Sequence, residues 1–208
     1  MGSDDLDREK PPHRVYLDAF SIDKYETTNA LYARFMRATG RPAPRDGNDS
    51  SFNASSQPVV NVTWEDADAY CKWAGKRLPT EAQWEKAARG TDGRKYPWGE
   101  QWDASRANAE NKLGSTASVG SYASGTSPYG AYDMAGNVWE WVADWYAKHY
   151  YEQSPNRNPM GPDSGTTRVL RGGSWSSLPV NLRAAVRLGD TPGLRNISIG
   201  FRCARGAS

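Results

Sequence analysis

Three stretches in the first half of the chain set apolar residues at helical spacing behind a threonine. Thr28 precedes Leu31, Phe35 and Ala38; Thr63 precedes Trp64, Ala67, Cys71 and Ala74; Thr80 precedes Trp84 and Ala87. Positions three and four apart share one face of a helix, so each stretch predicts a short helix with one buried stripe. Each threonine hydroxyl is placed to accept a first-turn amide that has no partner inside the helix. The run Thr80-Glu81-Ala82-Gln83 has in addition the spacing of a capping box. Ahead of the first helix, Arg14 to Phe20 carries strand-forming residues in partial alternation and predicts a strand. From Gly90 onward the chain becomes rich in Gly, Ser, Asn and Pro, with aromatic clusters and no long periodic segment. Long loops are predicted there, with short strands at Val138–Val142, Arg168–Leu170 and Gly200–Cys203.

A chain of 208 residues is long enough for one well-buried core and short for two domains. Apolar residues make up only 38 % of it and mean hydropathy is -0.80, yet 9 Trp and 11 Tyr supply large rigid groups, so the core is expected to be aromatic. With 26 basic against 24 acidic residues and no block of like charge, nothing tracks a phosphate backbone, and nucleic acid is not an expected partner. Cys71 and Cys203 lie in apolar surroundings and are expected to be buried free thiols, although a single bridge between them stays open. No apolar run reaches membrane-spanning length, and the polar start MGSDDLDREK is unlike a signal peptide. The cytoplasm is therefore the default address.

Six phrases, spread over nearly the whole chain, carry a resemblance. They are Met1-Gly2-Ser3, RLPTEAQWE from Arg77 to Glu85, Tyr96-Pro97-Trp98-Gly99, YGAYDMAGNVWEW from Tyr129 to Trp141, Arg171-Gly172-Gly173-Ser174-Trp175, and Gly200-Phe201-Arg202. In this order they resemble the formylglycine-generating-enzyme, or sulfatase-modifying-factor, family. The resemblance implies an α+β fold of the C-type lectin type, with little regular secondary structure and long ordered loops, in one domain over residues 1–208. In that family Met-Gly-Ser follows an opening strand, which implies a domain trimmed from a longer parent.

The enzymes of the family hold copper with two cysteines a few residues beyond the Arg-Gly-Gly-Ser phrase, because Cu(I) prefers soft thiolates. Here that stretch reads Trp175-Ser176-Ser177-Leu178-Pro179-Val180-Asn181-Leu182, with Ser177 near the place of the first cysteine and nothing for the second. An iron-dependent branch uses a histidine cluster on a separate helical domain, whereas this chain has only His13 and His149. The expectation is no copper, no iron and no catalysis. The resemblance also implies structural calcium, which wants carboxylate and carbonyl oxygens. One set would be the side chains of Asp133 and Glu140 with the carbonyls of Gly136 and Val138; a second would be Asn108, Ala109, Asn111 and Leu113, where Asn111 stands in place of a more usual Asp. Glu140 and Asp144 could alternatively act as an acid/base pair, but the phrase that holds them reads as a strand. Trp98, Trp139, Trp141, Trp145 and Trp175 are expected to pack as core, and Arg171, Arg183, Arg187, Arg195 and Arg202 to hold irregular backbone through forked hydrogen bonds.

The last stretch, 168–203, closely resembles the variable region of proteins diversified by retroelements, a non-enzymatic branch of the family. The fixed frame would be Arg171, Gly172, Gly173, Trp175, Pro179, Leu182, Arg183, Arg187, Pro192, Arg195, Gly200, Phe201 and Arg202. The variable, ligand-binding set would be Ser176, Ser177, Leu178, Val180, Asn181, Val186, Leu188, Gly189, Asp190, Gly193, Leu194, Asn196, Ile197 and Ser198. Its apolar members stand among turn residues without periodicity, and together on one surface they would mark an interaction site for an unknown ligand, expected to be a protein. The leading expectation is a binding scaffold with a diversified face. Behind it stand a family oxidoreductase with an altered active site and a regulatory domain of a larger protein.

Overall fold

The computed structural model describes residues 1–45 and 47–206. Helices α1 (Asn29–Thr39), α2 (Trp64–Trp73) and α3 (Glu81–Arg89) each begin behind the predicted threonine. The Thr28 hydroxyl accepts the Leu31 amide, and Thr80 with Gln83 closes the predicted capping box. Thr63 and Asp66 close a second box that the spacing argument did not include. α1 stops at Gly40, whose left-handed φ of 71° suits a residue without Cβ.

Strand β1 (Phe20–Ile22) lies far from the sheet-forming half of the sequence, yet pairs antiparallel with β6 (Ala204–Gly206) at the other end of the chain. The predicted strand over Arg14 to Phe20 therefore begins only at its last residue. Before that, Tyr16 makes a single bridge to Arg157 and is 57 % exposed, because no neighbouring strand runs alongside. The main sheet has the order β4-β3-β2-β5 and is built from β2 (Trp139–Trp145), β3 (Arg168–Arg171), β4 (Arg187–Asp190) and β5 (Ile199–Phe201). β2 and β5 are parallel, and the remaining pairs are antiparallel.

The core between the helices and this sheet is aromatic, as the composition implies. Tyr32 and Phe35 from α1, Tyr70 from α2 and Phe201 from β5 touch ring to ring, and Trp141 is fully buried beside them. Trp145 sandwiches the Arg168 guanidinium against Trp64, at 3.4 and 3.8 Å from the two rings. Cys71 of α2 and Cys203, just past β5, are joined in a disulfide within this core. The expectation of free thiols is corrected: the fold brings two buried sulfurs together across 132 residues of sequence. Among the described residues, no helix is long and apolar enough to cross a membrane.

Candidate ligand-binding face

The Arg-Gly-Gly-Ser phrase turns sharply at the end of β3. Gly172 and Gly173 have φ of 94° and 75°, and a Cβ on Gly173 would fall 2.4 Å from Leu182 Cδ2. This turn buries Ser174 and brings three hydroxyls together: Ser174 Oγ lies 3.2 Å from both Ser176 Oγ and Ser177 Oγ. A second loop clamps the first. Glu110 and Asn111, both left-handed, donate their amides to the carbonyls of Ser177 and Trp175 at 3.0 and 2.8 Å. Trp175 in turn donates its indole N–H to the Ile197 carbonyl at 3.3 Å, joining loop 175–181 to loop 196–198. On these joined loops Leu178, Val180 and Ile197 are 61 %, 52 % and 37 % exposed, and Leu113 of the clamping loop is also exposed.

The loops are held from beneath by four of the five arginines, each buried and each spanning a long stretch of sequence. Arg171 donates to Glu85 of α3 and to the carbonyls of Ala184, Ala185 and Val186. Arg187 makes a forked pair with Glu81 at 2.8 and 2.7 Å, Arg183 another with Glu9 at 2.8 Å, and Arg202 another with Glu140 at 2.8 Å. Arg195 is more exposed and bridges the Asn61 carbonyl and Asp66. Two-pronged hydrogen bonds to charged partners fix orientation as well as distance.

The proposed variable set divides in two. Ser176, Ser177, Leu178, Val180, Asn181, Asn196, Ile197 and Ser198 lie on the joined loops, exposed or partly exposed, as is Gly193 further along. Two members are corrected. Val186 is fully buried in the aromatic core. Gly189 lies in β4, where a Cβ would stand 2.6 Å from Tyr146 Cγ, so packing holds that position to glycine. Leu188, Asp190 and Leu194 are only partly exposed, and the two leucines pack on the core near α2. β4 was missed because Gly and Asp are poor strand formers; its pairing with β3, Leu170 opposite Leu188, forms it regardless.

The carboxylates singled out earlier lie inside. Glu140 accepts from Arg202 on both oxygens and from the Trp84 indole at 2.9 Å, so its charge is matched by a guanidinium. Asp133 accepts the Gly120 amide at 2.7 Å, and burial pushes its pKa up to about 6. Glu26, which sequence reasoning missed, is fully buried beside them; it accepts from Asn137 Nδ2 and the Val138 amide. Burial, then the charges of Asp133 and Glu140, hold its pKa well above the usual range. At the second set, Asn108 donates its Nδ2 to the Ser115 carbonyl and Asn137 Oδ1, while its buried Oδ1 has no partner. A buried acceptor without a donor fits an oxygen-seeking cation. Glu140, already spoken for, fits one less well. Among the described residues no three His, Cys, Asp or Glu side chains converge as metal ligands, so a cation here would rely on amide and carbonyl oxygens. For copper the donor set does not fit: both cysteines are consumed in the disulfide and the loop offers hard hydroxyls.

Asp144 does not form an acid/base pair with Glu140. It is buried, with Oδ2 accepting the Glu81 amide at 2.7 Å, and burial, then the Glu81 charge, push its pKa up to about 7. The unfolded value is about 3.9. The folded state thus holds this proton more tightly, and the stability it contributes is full below that value and is lost as pH rises toward about 7. Asp144→Asn keeps the acceptor and removes the charge. Its urea midpoint is expected to exceed the parent's by more at pH 8 than at pH 5; an equal difference at both would refute this assignment.

Known proteins match this geometry along nearly the whole chain. The chain is 42 % identical, over 95 % of its length, to a protein of Chlamydia caviae named serine/threonine-protein kinase pkn1, of which it spans only 35 %. It is 37 % identical over 97 % of its length to the formylglycine-generating enzyme of Streptomyces coelicolor, spanning 82 % of that protein. The solved structure of Treponema denticola variable protein 1 superposes with a TM-score of 0.84 at 28 % identity, covering 99 % of this chain and 91 % of that one. The C-type-lectin-like fold is therefore shared with a variable protein, while the sequence relatives carry the names of enzymes. The expectation that the chain is not an enzyme is overturned by those relatives. A family model described as a sulfatase-modifying factor enzyme 1-like domain matches residues 1–207, and the chain belongs to that family.

Proposed function

We propose that this chain is a recognition domain of the formylglycine-generating-enzyme type, working as the regulatory part of a longer protein and binding a polypeptide segment on loops 175–181 and 196–198. The observation that carries this reading is the exposure of Leu178, Val180 and Ile197 on loops tied down by backbone bonds and buried arginines. Apolar groups held rigidly at a surface lose little entropy on binding and mark contact sites. The partial span of the kinase relative supports a domain serving a larger molecule. The variable protein supports a face whose side chains change while the frame stays. Positions 176, 178, 180, 193, 196 and 197 suit such change, being exposed.

The test is selection of a displayed peptide library on the immobilised chain. A recurring sequence pattern is expected, and the double variant Leu178→Asp/Val180→Asp is expected to lose it. No enrichment, or equal enrichment by the variant, refutes the reading. The identity to an enzyme named for making formylglycine favours a second reading, an oxidoreductase with an altered reaction centre. Oxygen consumption driven by a selected cysteine-containing peptide would put that reading first.

Calcium belongs to the same proposal. Asn108, with Asn111 and the carbonyls of Ala109 and Leu113, would hold one ion; Asp133 with the carbonyls of Gly136 and Val138 would hold another, Glu140 being drawn away by Arg202. Calcium is expected to raise the Tm above that of a chelator-treated sample, with a smaller rise in Asn108→Ala. Identical melting with and without the ion sinks the proposal.

A further inference from the structure

The outer side of α1 is left to solvent. Leu31, Arg34 and Ala38 recur there at helical spacing and are all exposed, Leu31 at 42 %, and Arg37 follows Arg34 by three positions. Trp73 at the end of α2 borders this side: it is 45 % exposed, and its ring rests on Phe35 of α1 at 5.5 Å and on Tyr70 at 5.8 Å. Phe35 lies one helical turn from both Leu31 and Ala38, so the indole extends the apolar part of the same surface. Among the described residues, Trp73 is the one tryptophan that is exposed. The charge around it is unmatched. α1 contains no acid, and Arg34 and Arg37 have neither a hydrogen bond nor an ion pair among the described residues. Burial, then the Asp23 charge, raise the pKa of the Tyr70 phenol and the Arg34 charge opposes them, which sets Arg34 beside the ring that Trp73 touches. The acids nearby are already engaged: Asp23 by Lys76, Asp68 by Lys72, and Asp66 by Arg41 and Arg195.

We propose that the exposed side of α1, together with Trp73, is a docking site for a short acidic peptide segment that carries one bulky apolar residue. The apolar side chain covers Leu31 and the indole, and two carboxylates meet Arg34 and Arg37, which stand one helical turn apart. Charge selects the partner. Arg37, in the last turn, also complements the negative end of the helix dipole, but Arg34 lies too far from that end and has no acid of its own. Guanidinium groups hold carboxylates in a forked geometry, so an acidic segment satisfies both arginines where a neutral one leaves them bare. Size selects a peptide over a second copy of the chain. α1 has 11 residues and is about 16 Å long, which is short of the about 800 Å² on each partner that a stable interface between folded proteins covers. A rigid helix that offers an apolar anchor beside fixed charges is a common way of capturing one segment. The surface lies on other elements than loops 175–181 and 196–198, so it adds a second contact to the molecule.

The test is run on the whole chain carrying Leu178→Asp/Val180→Asp, so that the loop face is silenced and the two readings fail separately. A displayed peptide library is expected to enrich sequences with two Asp or Glu within four positions of each other and a Leu, Phe or Trp beside them. The enriched peptide, once synthesised, is expected to shift the Trp73 indole N–H and the amides of residues 31–38 in NMR spectra. Its affinity is expected to fall several-fold as salt rises from about 0.05 to about 0.5 M, because exposed charge pairs are screened. Arg34→Gln/Arg37→Gln alters two exposed positions with little change in helix propensity, and is expected to weaken binding about tenfold with the Tm unchanged. Arg34→Lys/Arg37→Lys keeps the charges and is expected to bind within about threefold of the parent. No enrichment of acidic sequences, shifts that avoid Trp73 and residues 31–38, or equal binding by the glutamine variant would each overturn the proposal. So would a concentration-dependent dimer in sedimentation that Leu31→Ser dissolves, because a second copy would then cover the face.

Discussion

Arg202→Met is expected to destabilise the fold by about 3–5 kcal/mol, the typical effect of stripping one partner from a buried ion pair. Arg202 is fully buried and supplies both oxygens of Glu140 with donors, besides donating to the Tyr132 carbonyl at 2.8 Å. Without it, Glu140 would remain in the core with Glu26 and Asp133 close enough to repel it. The loss should therefore exceed that of an ordinary core truncation of similar size. Adding Glu140→Gln removes the stranded charge while leaving an acceptor for the Trp84 indole, and the double variant is expected to regain at least half of the lost stability. Urea unfolding of the two variants checks this. A single variant within about 1 kcal/mol of the parent would show that the pair is not what holds the end of β5 to β2.

The second large effect belongs to the disulfide. Cys71→Ser/Cys203→Ser opens a covalent loop of 132 residues, for which the chain-entropy argument gives about 4–5 kcal/mol. Both sulfurs are fully buried, so a reductant added to the native protein is expected to act slowly, at the pace of unfolding, and quickly once urea is present. Equal urea midpoints for oxidised parent and double serine variant would refute the stabilising role. The bridge also bears on the default address drawn from the polar start of the chain, because such bonds persist where thiols are kept oxidised and are rare in a reducing cytosol.

Local features of this fold were legible, and features made by distant partners were not. Thr28, Thr63 and Thr80 announce their helices because a cap acts within three residues. Arg14 to Ala19 has strand-like residues but only the single bridge of Tyr16 to Arg157, and pairing decides a strand. β4 shows the converse, since Leu188-Gly189-Asp190 becomes a strand once β3 lies beside it. The role of the arginines could be read from their chemistry, but not which acid each one meets; Glu9 and Arg183 are 174 residues apart. Glu26 gave no signal at all, a single acid between Tyr25 and Thr27 whose partners lie at 137 and 138. At the candidate face, lack of periodicity leaves the exposure of Leu178, Val180 and Ile197 open, and only the fold shows them at the surface. The burial of Val186 and the tight fit of Gly189 under Tyr146 depend on neighbours that spacing does not reveal.

The pairing of β1 with β6, and of β2 with β5, has a consequence for biosynthesis. Residues 20–22 find their partner only at 204–206, and β2, though it can meet β3 at 168–171, gains its second neighbour only at 199–201. A ribosome adds about 5–20 residues per second, so the early helices wait many seconds with their aromatic faces uncovered. Whatever sequence loops 175–181 and 196–198 carry must therefore pass through the exit tunnel before the frame that supports it can close. A substitution in those loops can therefore lower the yield of newly made chains even where the finished fold would tolerate it.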